Sequence, residues 1–491
     1  MYELHIKDLS YKKILTKVSF DWSQGKKIAL MGANGSGKST LGRIIAGLIE
    51  QDSGEVTLTK DGDGLIGDNQ PRWQKVGFVG QHPRRQTIAA TVAEELGFGL
   101  LNLGLSASEV KERVKGLATQ IGLESRLNQS IAKLSGGERQ RLVMTAILAL
   151  QPAFIILDES LSMLDLKSRQ SILDLLADQP RLEIGNNFDG RKLGQLWITH
   201  DPEIALEADR LLIIKEGKIV EQGDPSHLLA DEDRCQKYGI RGLSQPNDQH
   251  FRSIDTYPGN RPMVLSWKNA EFENNVFLDQ RVKDKEFIGI VGPSGSGKTT
   301  LLESALQLIK PMRGSFQAFD EVSLPISPKQ LRNRIRLLQQ EAGEYLVGRT
   351  VCDEIFYTSS KQERQRNKEN YEDYMKKMGI PEIQWQQDPQ QLSGGERQKV
   401  ALAAAMRSNP GIILFDEPLI GLDRQGRERF KAFLKTYKDK YTILYVTHDL
   451  EEILDMVTRV WLIEKGRITL DYEIENGFKE RERFQRAGVK C

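Results

Sequence analysis

Short apolar runs punctuate the chain, and a helical pattern follows each of them. Lys26–Gly32 reads KKIALMG and Glu286–Gly292 reads EFIGIVG. Phe154–Glu159 reads FIILDE and Ile412–Glu417 reads IILFDE. Their apolar character is almost continuous rather than alternating. That marks strands covered on both faces, as in a parallel sheet. LGRIIAGLI at Leu41–Ile49 and LLESALQLI at Leu301–Ile309 read as helices opening after the first two runs. Leu142–Leu157, LVMTAILALQPAFIIL, is too short for a bilayer span and is broken by Gln151-Pro152. It predicts a helix end, a turn and a buried strand. Buried strands alternating with helices predict an α/β domain with a mainly parallel sheet, and ligand chemistry at the strands' carboxyl ends.

The pattern occurs twice. GANGSGKST at Gly32–Thr40 returns as GPSGSGKTT at Gly292–Thr300, and Lys38 and Lys298 are 260 residues apart. LSGGERQ at Leu134–Gln140 returns at Leu392–Gln398, and FIILDE returns as IILFDE, each 258 residues on. WITHD at Trp197–Asp201 returns as YVTHD at Tyr445–Asp449, 248 residues on. Four blocks in one order at a nearly constant offset mean a tandem duplication. The first domain is expected at residues 1–243, a polar linker at 244–262 and the second domain at 263–491. The offset lost between the third and fourth blocks predicts a surface loop at Pro180–Leu196. The run KERER at Lys479–Arg483 reads as a solvated helix face with no function attached.

Composition narrows the classes. The 491 residues carry 69 Lys and Arg against 68 Asp and Glu, a formal charge of +1. That balance disfavours a protein held on nucleic acid by bulk charge. Cys235, Cys352 and Cys491 form no paired spacing, which excludes a zinc ribbon, an iron–sulfur cluster or a disulfide framework. MYELHIKDLSYKK has no apolar core of a secretory signal.

GxxxxGK[ST] is a P-loop. Glycines let the backbone curl around phosphate oxygens, and the next helix adds its positive end. The first loop comprises Gly32, Ala33, Asn34, Gly35, Ser36, Gly37, Lys38, Ser39 and Thr40. The second comprises Gly292, Pro293, Ser294, Gly295, Ser296, Gly297, Lys298, Thr299 and Thr300. Lys38 and Lys298 would reach the β- and γ-phosphates, and Ser39 and Thr299 would offer hydroxyls to Mg²⁺. Asp158 and Asp416 close buried strands, where a carboxylate needs a cation, and Mg²⁺ is the natural one. Glu159 and Glu417 come next and are candidates for polarising or deprotonating the attacking water.

In LSGGERQ, Ser135, Gly136, Gly137 and Glu138 open a predicted helix, as do Ser393, Gly394, Gly395 and Glu396. The serine can cap it, and the glycines keep its first N–H groups open to a phosphate. The motif resembles the signature of ATP-binding-cassette (ABC) ATPases, and with the other blocks the resemblance covers both halves of the chain. It implies tandem P-loop NTPase domains, each with a mainly parallel sheet core and a helical signature subdomain. It implies Mg²⁺ with ATP as the cofactor set. It implies an intramolecular pseudo-dimer, with Lys38 opposite Ser393–Gly395 and Lys298 opposite Ser135–Gly137. The same resemblance assigns a switch histidine to His200 and His448, and a Mg²⁺-binding, partner-sensing glutamine to Gln81 and Gln340. Tyr11 and Phe272 would stack on adenine.

The segment after Gln81 narrows the branch. Gln81, Pro83, Gln86, Thr91-Val92, Glu94-Glu95, Phe98-Gly99 and Leu103-Gly104-Leu105 resemble the ATPase subunits of energy-coupling-factor importers. In the second copy TVCDEI at Thr350–Ile355 survives, and Tyr345 replaces the second glutamine. The resemblance implies a peripheral protein at the cytoplasmic face of the cell membrane. Its partners would be an integral membrane scaffold and a small substrate-binding membrane subunit, with no nucleic acid. The cargo would be a vitamin, a vitamin precursor or a metal ion. Fused chains of this length resemble the hydroxymethylpyrimidine/thiamine type. A fused sugar-importer ATPase fits the length but usually carries a degraded second copy. A soluble twin-cassette translation factor would need a long charged helical linker. Met163, where the family usually has glycine, predicts that the two sites turn over at unequal rates.

Overall fold

The computed structural model describes residues 1–61, 63–65, 72–81, 86–161, 166–177, 192–243, 261–320, 322–339, 343, 345–357, 368–392, 394–474 and 480–490. The chain forms two compact units, Met1–Gln245 and Pro246–Cys491. The linker expected at 244–262 lies outside the described residues except for its last two.

The first unit contains β1 (Tyr2–Tyr11), β2 (Leu15–Ser23), β3 (Lys27–Met31), β4 (Ser53–Lys60), β5 (Asp63–Leu65), β6 (Val76–Val79), β7 (Phe154–Asp158), β8 (Gly194–Ile198), β9 (Arg210–Lys215) and β10 (Lys218–Gly223). One sheet runs β2-β1-β4-β5 and is antiparallel; the other runs β10-β9-β3-β8-β7-β6. All pairings in the second are parallel except that of β9 with β10. Its central strands are the apolar runs of the sequence. In β7, Phe154 and Ile156 face one core with Leu41, Ile44 and Ile45, while Ile155 and Leu157 face another with Leu142 and Trp197. Burial on both faces explains the unbroken hydrophobicity.

The helices used below are α1 (Lys38–Ile45), α2 (Val92–Asn102), α3 (Ala107–Gln120) and α4 (Gly136–Leu148). Val92, Leu96 and Leu100 of α2 pack with Val110, Val114 and Leu117 of α3 and Leu142 of α4. This is the helical subdomain, and its apolar spacing of three and four residues is that of one helix face. The expected helix end, turn and strand are present: α4 stops at Leu148, Gln151 takes φ 53°, and β7 starts at Phe154. Of the surface loop expected at Pro180–Leu196, residues 180–191 lie outside the described residues, and Gly194–Leu196 belong to β8. The parallel ladder with β7 claims those three residues for the sheet.

The second unit repeats the plan in one nine-stranded sheet. Its strands are β11 (Met263–Phe272), β12 (Val276–Lys283), β13 (Phe287–Val291), β14 (Arg313–Ala318), β15 (Ile335–Leu338), β16 (Ile412–Asp416), β17 (Thr442–Val446), β18 (Arg459–Glu464) and β19 (Arg467–Glu473). The order is β14-β11-β12-β19-β18-β13-β17-β16-β15. A single parallel pair, Phe277 with Arg467, joins the antiparallel part to the rest. Helices α5 (Lys298–Ala305), α6 (Val351–Ile355), α7 (Lys368–Lys377), α8 (Gly394–Met406) and α9 (Arg424–Tyr437) complete the repeat. Helix α6 is five residues long where α2 has eleven.

Candidate ATP site

Each P-loop is the turn between a central strand and a helix. Gly37 and Gly297, just before the helices, take φ 102° and 107°, which glycine reaches without strain. A Cβ on Gly32 would lie 2.2 Å from the Ile214 carbonyl oxygen, and one on Gly292 would lie 2.1 Å from that of Ile463. The turn can therefore form only with glycine at its first position. Lys38 Nζ donates to the carbonyls of Gly32 (2.7 Å) and Ala33 (3.0 Å). Lys298 Nζ donates to those of Gly292 (2.7 Å) and Pro293 (2.9 Å). The Ser36 and Ser296 amides close each turn on Ala33 and Pro293 at 3.2 Å. The helices begin at the lysines, so Thr40 and Thr300 lie in first turns whose N–H groups favour an anion.

The carboxylates stand beside these loops. Asp158 ends β7, is 3% exposed, and accepts a hydrogen bond from Ser39 Oγ at 3.0 Å. Burial, only partly offset by Ser39, pushes its pKa up to about 6. Asp416 ends β16 and is likewise raised to about 6 by burial and then by Glu417. Glu159 and Glu417 both take left-handed backbone, φ 54° and 49°. Their amides donate to Ile198 and Val446 at 2.9 Å, anchoring that conformation at the end of the neighbouring strand. Such backbone costs on the order of 1 kcal/mol for a residue other than glycine. It turns the chain at the strand end, and each glutamate meets a histidine.

The two histidine contacts differ. His200 Nε2 lies 3.1 Å from Glu159 Oε1 and 3.0 Å from Asn34 Oδ1. His448 Nδ1 lies 2.8 Å from Glu417 Oε2. Burial alone would lower the His448 pKa. Glu417, with Glu452 and Asp449 nearby, outweighs it and raises the pKa.

The signature serine caps α4. Ser135 Oγ accepts from the Glu138 amide, and Glu138 accepts from the Ser135 amide at 3.0 Å, a reciprocal capping box. Arg126 fixes Glu138 at 2.9 Å. Arg139 is buried and donates to the carbonyls of Ile131, Ala132 and Leu134, which ties the helix to the turn before it. Gly136 is exposed at the helix start, and Gly137 follows, buried. In the second unit α8 starts at Gly394, with Gly395 next, and Gln384 donates to Glu396 at 2.6 Å. Ser393, Gln340 and Met163 lie outside the described residues.

Gln81 follows β6, half-buried. Tyr11 ends β1 opposite Leu15 and is half-buried. Phe272 holds the matching register position opposite Val276, but it is 1% exposed and packs with Val264, Leu278 and Leu301. Its ring has no face left for a base, so the adenine stacking expected of Phe272 is withdrawn.

Residues 15–162 and 277–420 both match the family model described as ABC transporter, together more than half of the chain. The chain belongs to the ABC transporter family. With two cassettes, each carrying a P-loop, the ABC protein is an ATPase. It is similar to a "Putative ABC transporter ATP-binding protein" of Caldanaerobacter subterraneus subsp. tengcongensis, 25% identical over 549 aligned positions that cover 99% of this chain and 94% of that one. A Bacillus cereus protein of the same description is 28% identical, covering 94% of this chain and 88% of its own length. Among solved structures, cbiO1 from Clostridium perfringens, part of the ABC transporter complex cbiONQ, is 27% identical with a TM-score of 0.39. It covers 48% of this chain and 93% of its own.

Two residues of the ABC ATPase do more than their motifs announced. Asn34 contacts His200 across 166 positions of sequence. Gln86 accepts from the Gly80 amide (2.7 Å) and donates to the Phe78 carbonyl (3.2 Å), tying its side chain to β6 and the residue after it. No local signal marks the first; the second was legible only as part of a family pattern.

The raised pKa of Asp158 has a stability consequence. The folded state binds the proton more tightly than an unfolded aspartic acid of pKa about 3.9. This contribution is therefore present below pH 4 and lost as pH rises through about 6. Asp158→Asn is expected to stabilise the nucleotide-free protein by about 2 kcal/mol at pH 7, less at pH 4, while abolishing ATP hydrolysis. Urea unfolding of both forms at the two pH values checks it. An equal difference at both would refute the buried-charge account.

Proposed function

We propose that this ABC ATPase is the energy-coupling subunit of an energy-coupling-factor importer, working with Mg²⁺ and ATP at the cytoplasmic face of the membrane. The observation that carries the reading is an apolar groove in the first cassette, about 940 Å³, shortly after Gln81. Ile88, Ala93, Phe98, Leu101, Val110 and Val114 line it. Ile88, Phe98 and Leu101 are 65%, 49% and 54% exposed, more apolar surface than a lone scattered residue explains. No described helix is long and apolar enough to cross a membrane. A membrane-spanning partner with an apolar cytoplasmic helix is the occupant that suits this groove.

The residues of the importer pattern build that groove. Gln86 ties itself to the end of β6, Thr91 caps α2, and Glu94 completes the capping box. Glu95 accepts the amides of Ile88 (3.0 Å) and Ala89 (2.9 Å), while Gly99 leaves room for Leu150. Phe98 is then presented to solvent. The second cassette keeps two of these devices: Thr350 caps α6, accepting the Asp353 amide at 3.0 Å, and Glu354 accepts the amides of Val347 and Gly348 at 2.7 and 2.6 Å.

Mg²⁺ suits the residues beside the first P-loop, because Asp158 is a buried carboxylate 3.0 Å from the Ser39 hydroxyl and both are hard oxygen donors. Ser39, Asp158 and Gln81 would hold it in the first cassette, and Thr299, Asp416 and Gln340 in the second. The ion would neutralise phosphate charge. The loop amides and Lys38 or Lys298 orient the phosphates, and Glu159 or Glu417 accepts a proton from the attacking water, the paired histidine holding that carboxylate in place.

Pull-down of the tagged chain from its own cells in mild detergent tests the importer reading. A large multi-span protein with a second small membrane protein is expected. Phe98→Asp is expected to cut their recovery about tenfold, because a charge buried in an apolar interface goes unpaired. Recovery of ribosomes, or of no membrane protein, would overturn the importer assignment.

A further inference from the structure

Arg481, Glu482 and Arg483 of the charged run open a short helix, Arg481–Arg486, whose next residues return to the second cassette's His448. Arg483 donates to the Thr469 carbonyl at 2.8 Å, and Arg481 lies 3.5 Å from Glu451. Phe484 and Val489 are fully buried, in one core with Leu450, Ile453 and Tyr445. Gly488 takes φ 80° and lets the chain turn out of the helix, with the Val489 amide on the Phe484 carbonyl at 3.0 Å. Glu482 and Arg483 of the run are exposed on an element whose other face is anchored, and Lys479 lies outside the described residues.

Beyond the turn, Lys490 forms a parallel bridge with Asp449. The Lys490 amide donates to the His448 carbonyl at 3.0 Å, and the Leu450 amide donates to the Lys490 carbonyl at 2.7 Å. The main chain is held on both sides of Asp449, starting at the residue that carries the imidazole. That imidazole lies 2.8 Å from Glu417. The first cassette secures its histidine loop differently. There Asp201 accepts the Glu203 amide at 3.0 Å and pairs with Arg169 at 3.2 Å. Its own trailing helix, Glu232–Tyr238, ends at Gly239 beside Ala33 of the P-loop.

We propose that the segment Arg481–Lys490 is a positioning element for the second ATP site, fixing His448 through its main chain so that the imidazole stays against Glu417. The inference rests on His448 and Glu417 forming part of that site. It gives the second cassette's histidine loop a hold that runs through the main chain.

The test separates main chain from side chain. In the full chain, Lys490→Pro removes the N–H that meets His448, while Lys490→Ala keeps it. Lys490→Pro is expected to lower kcat for ATP about fivefold, the effect of one lost hydrogen bond, with KM unchanged and faster amide exchange at Leu450. Lys490→Ala is expected to lower kcat far less than Lys490→Pro does. A wild-type kcat for Lys490→Pro, or equal slowing by Lys490→Ala, overturns the proposal. So does a fall in kcat matched by a loss of ATP affinity. Should Lys490→Pro not fold, Val489→Ala loosens the same anchor and is expected to slow kcat about twofold at unchanged KM, and no slowing overturns the proposal. Lys298→Ala run in parallel keeps the two readings apart. A fully active Lys298→Ala chain sinks the ATP site itself, whereas an inactive one beside a wild-type Lys490→Pro sinks only this inference.

Discussion

Lys38→Ala combined with Lys298→Ala is expected to abolish ATP hydrolysis, with a loss of at least a hundredfold, and to leave a folded protein. Each lysine lies within its loop, bonded to two carbonyls that close the turn. It is the only positive side chain in that turn, so its removal takes away the charge that meets the β- and γ-phosphates. Losses of ~10²–10³ are typical when one such electrostatic contact to a reacting group goes. The fold should persist because the cores around β3 and β13 do not depend on these ammonium groups. Loss of two hydrogen bonds per loop costs about 1–3 kcal/mol, a tolerable fraction of domain stability. Turnover with circular dichroism on the same sample decides it. A folded double variant that still hydrolyses ATP would refute the P-loop assignment.

Glu417→Gln is expected to slow turnover by about a hundredfold or more, the usual worth of a positioned general base. Glu159→Gln should slow it several times less. The reason is the different wiring of the histidines. His448 meets Glu417 at 2.8 Å, and its raised pKa favours the imidazolium that steadies an ionised carboxylate. His200 divides one ring nitrogen between Glu159 and Asn34. Ser294 occupies the place of Asn34 in the second loop. Steady-state rates of the two single variants, measured at saturating ATP, carry the comparison. Equal slowing would sink the claim that the sites are unlike.

The legible part of this molecule is the part written in contiguous residues. A P-loop needs glycines at fixed spacing, because a Cβ at Gly32 collides with a carbonyl whatever the rest of the chain does. The paired strand ends and the caps at Ser135 and Thr91 are local for the same reason. What stayed hidden depends on partners far along the chain. Asn34 looked like one more loop position until the fold brought His200 to it. Phe272 looked like Tyr11 by spacing and shares its register, yet its surroundings closed over it. The run at 479–483 gave no hint that Lys490, a few residues on, would pair with Asp449. Periodicity and motifs carry no record of such pairings.

The burial of Phe484 and Val489 also orders events during synthesis. The second cassette seals its core with residues close to position 490, while the first is a unit ending at Gln245. At about 5–20 residues per second, the ribosome takes on the order of tens of seconds to travel between those two points. Through that interval the first cassette can already be native, whereas Leu450 and Ile453 still await their last neighbours. The newborn second half is then the portion of this polypeptide most in need of a chaperone.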